Sequence, residues 1–126
     1  MKTLLLNVYE DKVKVLDIQP DLHEYYKALD CSCIDIVERR IGGKLFSIMC
    51  DDEGLFREDC KIAAINDMGE PMLVGNLMFF KAGADEEGNL IELDEDDIEH
   101  IYGFIQKMYT RNHPEGYRML TQCEYY

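Results

Sequence analysis

The apolar run from Met72 to Phe80 is the feature of this sequence that most restricts its fold. It is too short for a typical buried helix, it follows Pro71, and it shows little alternation between apolar and polar residues. Such a run is typical of a strand that is buried on both faces. We therefore predict a central strand over Leu73–Phe80. The glycine inside it, Gly75, indicates a bulge or a close backbone approach, with tight packing of a helix favoured over an approaching ligand.

Two hairpins are predicted on either side of a first helix. Thr3–Tyr9 is rich in Leu and Val, and Lys12–Val15 alternates with the period of a strand. Ile34–Arg40 and Lys44–Cys50 flank Gly42-Gly43, a dipeptide that tolerates the positive φ of tight hairpin turns. These patterns add four strands to the predicted sheet.

Two helices are predicted from apolar spacing and capping residues. The first covers Asp21–Leu29, with Asp21 as its cap. It places four apolar residues on one face: Leu22, Tyr25, Tyr26 and Leu29. The second covers Asp94–Arg111, because an apolar stripe recurs at helical spacing and acids fill its first turn. The tail from Tyr117 to Tyr126 forms either a last strand or an ordered arm.

Together these elements predict a single small α+β domain over residues 1–126, with a mostly antiparallel or mixed sheet packed by two helices. A chain of 126 residues has room for one core. No apolar run approaches the roughly 20 residues that span a bilayer, so we expect no membrane association and a cytoplasmic location.

The residue types that carry most enzyme chemistry form no familiar motif here. His23, His100 and His113 are isolated, and no metalloprotease, hydrolase, P-loop or dinucleotide pattern is present. Cys31-Ser32-Cys33 lacks zinc-type spacing, and the odd total of five cysteines favours reduced, structural thiols. We therefore predict no catalytic residues, no cofactor and no metal site.

The chain is strongly acidic, with a formal net charge of −13. This charge argues against direct binding to nucleic acid or to anionic membranes, and it permits a basic protein partner. Nine acids and no Lys or Arg fall between Asp85 and Glu99. A polar turn and a helix start both favour acids. As an alternative, the window predicts a partner-binding surface made by Asp85, Glu86, Glu87, Asp94, Glu95, Asp96, Asp97 and Glu99.

Four segments of the chain, taken in order, resemble a known family. They are Asp52–Leu55, Asn66 in a loop, Gly69–Asn76 at the start of the apolar run, and Leu93–Ile98 at the last helix. These segments are similar to the family catalogued as domain of unknown function DUF3846, whose members are short proteins of phages and of conjugative elements in Gram-positive gut bacteria. The resemblance covers about residues 2–105 and leaves residues 112–126 as a C-terminal tail. It implies an accessory protein of a mobile genetic element and supplies no catalytic residues.

Three function classes remain open on these grounds. The first is a non-catalytic protein-binding factor, such as an acidic, DNA-mimic-like inhibitor of a host protein. The second is a small-molecule binder, for example one that sequesters nucleotides, and the third is an enzyme of unknown type. A contiguous carboxylate surface favours the first class, whereas a closed pocket with convergent polar groups and an Arg favours the second.

Overall fold

The computed structural model describes residues 1–126 and contains two helices, ten strands and one short 3₁₀ turn. The helices are α1 (Leu22–Leu29) and α2 (Glu95–Tyr102), and the 3₁₀ turn covers Gly54–Phe56. The strands are β1 (Lys2–Asn7), β2 (Lys12–Asp17), β3 (Ile34–Ile41), β4 (Lys44–Asp51), β5 (Ile62–Ile65), β6 (Pro71–Val74), β7 (Leu77–Lys81), β8 (Ile105–Met108), β9 (Tyr117–Leu120) and β10 (Cys123–Tyr125).

The strands form two sheets. The larger has six strands in the order β10-β3-β4-β7-β1-β2, and the smaller has four in the order β6-β5-β9-β8. All pairings are antiparallel except that between β5 and β9. The predicted α+β class and the two helices are confirmed. Neither helix has the length and apolar character needed to cross a membrane.

The six-stranded sheet is buried on both faces along its central strands. Alternate residues of β7 belong to different clusters: Leu77 and Phe79 pack with the small sheet and α2, whereas Met78 and Phe80 pack with α1. All four side chains are fully buried. Burying one such side chain stabilises a fold by about 1.5–3 kcal/mol, so β7 is a major source of stability.

The predicted single strand over Leu73–Phe80 is wrong in extent, because the chain changes sheets inside it. The first part is β6 of the small sheet, and the second is β7 of the large one. Gly75 makes the turn with a φ of +79°, a left-handed conformation that favours glycine. Asn76 is buried beside it, where its Oδ1 accepts a hydrogen bond from the Val8 N–H and its Nδ2 donates to the Leu29 carbonyl.

The predicted helix over Asp94–Arg111 is also too long, since α2 ends at Tyr102 and Gly103 caps it. Residues Ile105–Met108 form β8 instead and pair with β9. The apolar spacing fits a helix, but pairing with a neighbouring strand outweighs local preference. An interior glycine near the end of a helical pattern is a known stop signal.

Both predicted hairpins and the first helix are present. In the second hairpin, Gly42 has a φ of +55°, and a Cβ atom there would overlap the ring of Phe104. Asp21 caps α1 by accepting a hydrogen bond from the His23 N–H. One part of the predicted apolar face is wrong, because the Leu22 side chain lies exposed near the start of α1.

The C-terminal tail completes both sheets. Strand β9 lies between β5 and β8 in the small sheet, and β10 forms one edge of the large sheet. Tyr117, Leu120 and Cys123 are buried in the main core. Of the two forms predicted for the tail, a strand or an ordered arm, the structure has the strand. The tail also contributes side chains to the core.

Candidate functional site

Asp97, at the centre of the predicted acidic surface, is fully buried. Its carboxylate accepts hydrogen bonds from Lys44 Nζ at 2.7 Å and pairs with Lys81 Nζ at 2.6 Å. Burial alone raises the pKa of Asp97, but the bonds from the two lysines outweigh it and hold the pKa well below its usual range. Asp97 therefore holds α2 against β4 and β7 and cannot contact a partner, which corrects the prediction for this residue.

Asp94 is engaged within the chain as well. It caps α2 through a capping box, in which its side chain accepts from the Asp97 N–H while the Asp97 side chain accepts from the Asp94 N–H. Its other oxygen pairs with Lys81 at 2.9 Å. The bond from Lys81 and the bond from the Asp97 backbone lower the pKa of Asp94. These contacts explain why acids begin this helix without invoking a partner.

Two further acids of the window shape the backbone. Asp85 Oδ1 accepts hydrogen bonds from the N–H groups of Glu87 and Asn89, each at 2.9 Å, and so closes the turn that follows β7. Glu92 Oε1 accepts from the Lys2 N–H at 2.9 Å. Both side chains keep a structural role although both residues are exposed.

The remaining acids of the window are exposed and make no side-chain hydrogen bond or ion pair within the chain: Glu86, Glu87, Glu95, Asp96 and Glu99. Glu95 and Glu99 are four residues apart, so they share one face of α2 with Asp96 beside them. The buried residues of α2, Asp97 and Ile101, lie on the other side. We name these five carboxylates the acidic surface.

The pKa of every thiol in the chain is raised, so none is activated as a nucleophile. Burial raises the pKa of Cys50 to about 12 and the pKa values of Cys31 and Cys123 to about 11. Because the thiolate is the reactive form, these residues are poor nucleophiles at neutral pH. All five cysteines are free, and no group of three or more His, Cys, Asp or Glu side chains lies close enough to hold a metal ion.

The largest cleft, of about 590 Å³, lies between the β1–β2 hairpin and α1. It is open to solvent, and Lys14 and Lys27 stand in its lining among carboxylates. Asn76 also reaches this cleft, but both ends of its amide are already bonded to the backbone. Its lining contains no Arg.

A second cleft, of about 320 Å³, lies between the two sheets. Its walls come from β3, β4, the 3₁₀ turn and β6, with Val37, Leu55 and Met72 among the apolar residues. Three aspartates line it and no Lys, Arg or His does: Asp35, Asp51 and Asp52. Sequence patterns did not predict this cleft, because it forms only where β6 of the small sheet meets β3 and β4 of the large sheet. Two of the segments that carry the family resemblance, Asp52–Leu55 and Gly69–Asn76, contribute to its lining.

Comparison with known proteins assigns the chain to a family but does not assign it a function. The model of a family described as "Domain of unknown function (DUF3846)" matches residues 1–109. No curated protein and no solved structure matches the chain. The match runs from β1 to the end of β8, so β9 and β10 lie beyond it although they complete both sheets. Since the match covers most of the sequence, the chain belongs to the DUF3846 family.

Proposed function

We propose that this chain is a non-catalytic protein-binding factor that binds a basic surface of a partner through its acidic surface. The supporting observation is that Glu86, Glu87, Glu95, Asp96 and Glu99 are exposed carboxylates with no partner inside the chain. Two lysines contact this helix, Lys44 and Lys81. Both already pair with Asp94 or Asp97, which stabilise the fold.

A surface of this kind suits a partner that normally binds DNA. Duplex DNA presents one negative charge per roughly 1.7 Å of its axis, and a DNA-binding groove supplies cations to match. Three carboxylates on one face of α2, and two more in the turn that precedes it in sequence, offer negative charge without phosphate. The net charge of −13 adds a long-range attraction toward such a groove. The partner is thus a host protein with a basic nucleic-acid-binding surface, and the chain is an accessory protein of a mobile genetic element.

A non-catalytic role agrees with the state of the reactive side chains. The thiols carry raised pKa values, and His100 Nε2 lies 2.7 Å from the Ile41 carbonyl oxygen, as a structural contact of α2. The alternative of a nucleotide-like ligand needs convergent free polar groups. The largest cleft instead offers Asn76 with its amide already bonded, and flexible Lys14 and Lys27 at the surface.

The test is capture of partners from a lysate of a Gram-positive gut bacterium by the immobilised chain, with elution in rising salt. The informative variant carries Glu95→Lys, Asp96→Lys and Glu99→Lys. The matched control carries Glu10→Lys, Glu58→Lys and Glu115→Lys, which changes net charge equally at exposed acids elsewhere.

We expect the parent and the control to retain a DNA-binding protein at low salt and to release it as salt rises. The α2 variant retains none of it. It still unfolds cooperatively, with a midpoint lowered by only several degrees, because lysines replace acids in the first turn of α2. Equal retention by the α2 variant and the control, or retention that is insensitive to salt, contradicts the proposal.

A further inference from the structure

The outer edge of β3 is only half paired. Strand β4 pairs with β3 along its whole length, whereas β10 pairs only with Arg39–Ile41 and ends at Tyr125. No strand pairs with the outer edge from Ile34 to Glu38. The Ile36 side chain is 44% exposed on this segment. This part of the large sheet therefore has an open edge.

The backbone groups of this open edge are directed outward at alternate residues. The two-residue turn makes Ile41 and Lys44 a hydrogen-bonded pair, so every second residue of β3 from Ile41 directs its N–H and C=O toward β4. The bond from the Asp52 N–H to the Cys33 carbonyl, at 3.0 Å, continues the same alternation beyond the strand. The groups of the even-numbered residues between Ile34 and Glu38 thus point away from β4.

One of these outward groups bonds to a side chain of β3 itself. The Ile36 N–H donates to Oδ1 of the preceding residue, Asp35, at 2.9 Å. An incoming strand can replace that bond with its own carbonyl. The Asp35 carboxylate, which is exposed, is then free to pair with a cation. The edge is therefore protected in the free chain by a contact that a suitable ligand can exchange.

The open edge borders the cleft between the sheets. Asp35 and Val37 of β3 both line that cleft, opposite Met72 and Leu73 of β6. The next residue of β3 on the same face, Arg39, is stacked on the Tyr125 ring at 4.9 Å from its centroid and lines neither wall. The cleft thus combines apolar walls with aspartates and lacks cations of its own.

We propose that this edge binds an extended segment of a partner protein as an added strand, with an apolar side chain in the cleft beside Val37 and an Arg or Lys paired with Asp35. Main-chain bonds supply affinity and alternate side chains supply specificity in this mode of recognition. The segment runs antiparallel to β3, as β10 does. From its N-terminal end it places an apolar residue opposite Val37, a second apolar residue opposite Ile36, and a basic residue opposite Asp35. This site is separate from the acidic surface.

The test is an NMR titration of the ¹⁵N-labelled chain with a blocked peptide of sequence TLVRVT. We expect shifts at the amides of Ile34–Glu38 and of Met72–Val74. In the predicted register the first valine pairs with Ile36, so methylating its nitrogen removes a main-chain bond and weakens binding roughly tenfold or more. Methylating the leucine nitrogen is the matched control, because that N–H points away from β3, and it leaves the affinity nearly unchanged.

A second arm tests the charge. Asp35→Asn keeps an acceptor for the Ile36 N–H but removes the negative charge, so it weakens binding of the TLVRVT peptide roughly threefold. It leaves binding of TLVQVT nearly unchanged, because that peptide has no charge opposite residue 35. The Glu95→Lys, Asp96→Lys, Glu99→Lys variant binds TLVRVT as the parent does. Loss of peptide binding in that variant would assign the peptide to the acidic surface and overturn this proposal while leaving the proposed function standing.

Three other results would overturn it. They are equal weakening by the two N-methylated peptides, shifts confined to other residues, and no shift at millimolar peptide. Shifts at Ile36 that grow with protein concentration before any peptide is added would assign the edge to a second copy of the chain instead.

Discussion

Replacing Asp97 by asparagine tests whether the central acid of the predicted surface is structural. The substitution keeps the shape of the side chain but removes the charge that binds Lys44 and Lys81. A hydrogen bond to a charged group contributes about 1.5–3 kcal/mol. The lysine side chains are 51% and 36% exposed, so water recovers part of that loss. We therefore expect Asp97→Asn to lower the free energy of unfolding by about 2–3 kcal/mol.

The assay is urea unfolding followed by circular dichroism at neutral pH. A loss of this size lowers the unfolding midpoint with an unchanged m-value, and it lowers Tm by roughly 10 °C for a domain of this length. Asp97→Ala also removes the acceptor for the Asp94 N–H, so it lowers the free energy of unfolding by about 1 kcal/mol more than Asp97→Asn does. The matched control is Asp96→Asn, an exposed neighbour with no internal partner, for which we expect a change within about 0.5 kcal/mol.

The pH dependence of the loss follows from the direction of the pKa shift. The folded-state pKa of Asp97 lies below its unfolded value, so its contribution is complete above the unfolded pKa of about 3.9 and declines as the pH falls below it. The difference between the parent and Asp97→Asn is then about 1 kcal/mol smaller near pH 3 than at neutral pH. Equal stability of Asp97→Asn and Asp96→Asn at neutral pH would refute the structural role of Asp97.

Three further predictions follow from the packing of the chain. Phe79→Asp places an unpaired charge in the core and abolishes cooperative thermal unfolding, because its cost of several kcal/mol approaches the free energy of unfolding of a typical domain, roughly 5–15 kcal/mol. The matched variant Val74→Asp lies at a half-buried position and leaves a folded protein. Gly42→Ala lowers the free energy of unfolding, measured by urea denaturation, by about 1–3 kcal/mol, because it forces an alanine in the left-handed conformation against Phe104. Gly88→Ala, at an exposed glycine with open space around it, lowers the free energy of unfolding by less. All five cysteines titrate with Ellman's reagent in denaturant without reductant, while Cys50 and Cys123 stay unreactive in the native protein, and fewer than five thiols would show a disulfide.

The sequence predicted those elements whose local signals agree with their final partners. Both hairpins and α1 are of this kind, since each has its own turn or cap. The two errors in extent, at Gly75 and at Gly103, come from strand pairings that the local pattern does not reveal. Strand β6 pairs with β5 while β7 pairs with β1 and β4, and β8 pairs with β9. Apolar periodicity cannot tell a run that crosses between sheets from a single strand, nor a helix from a helix followed by a strand that pairs with β9.

The candidate site was predictable in composition but not in geometry. The acid count between Asp85 and Glu99 identified an exposed acidic region, yet it could not distinguish Asp97, which is buried, from Asp96, which is exposed. The distinction depends on Lys44 and Lys81, which lie far away in sequence and meet α2 only in the folded chain. The open edge of β3 depends likewise on where β10 ends.

The most direct measurement of the proposed function is displacement of duplex DNA from the captured partner by the chain. Fluorescence anisotropy of a labelled duplex reports the release as the parent, the Glu95→Lys, Asp96→Lys, Glu99→Lys variant or the Glu10→Lys, Glu58→Lys, Glu115→Lys control is added. We predict that the parent and the control release the DNA with an affinity that falls as salt rises, and that the α2 variant does not release it. Release by all three proteins alike, or by none, would contradict binding through the acidic surface.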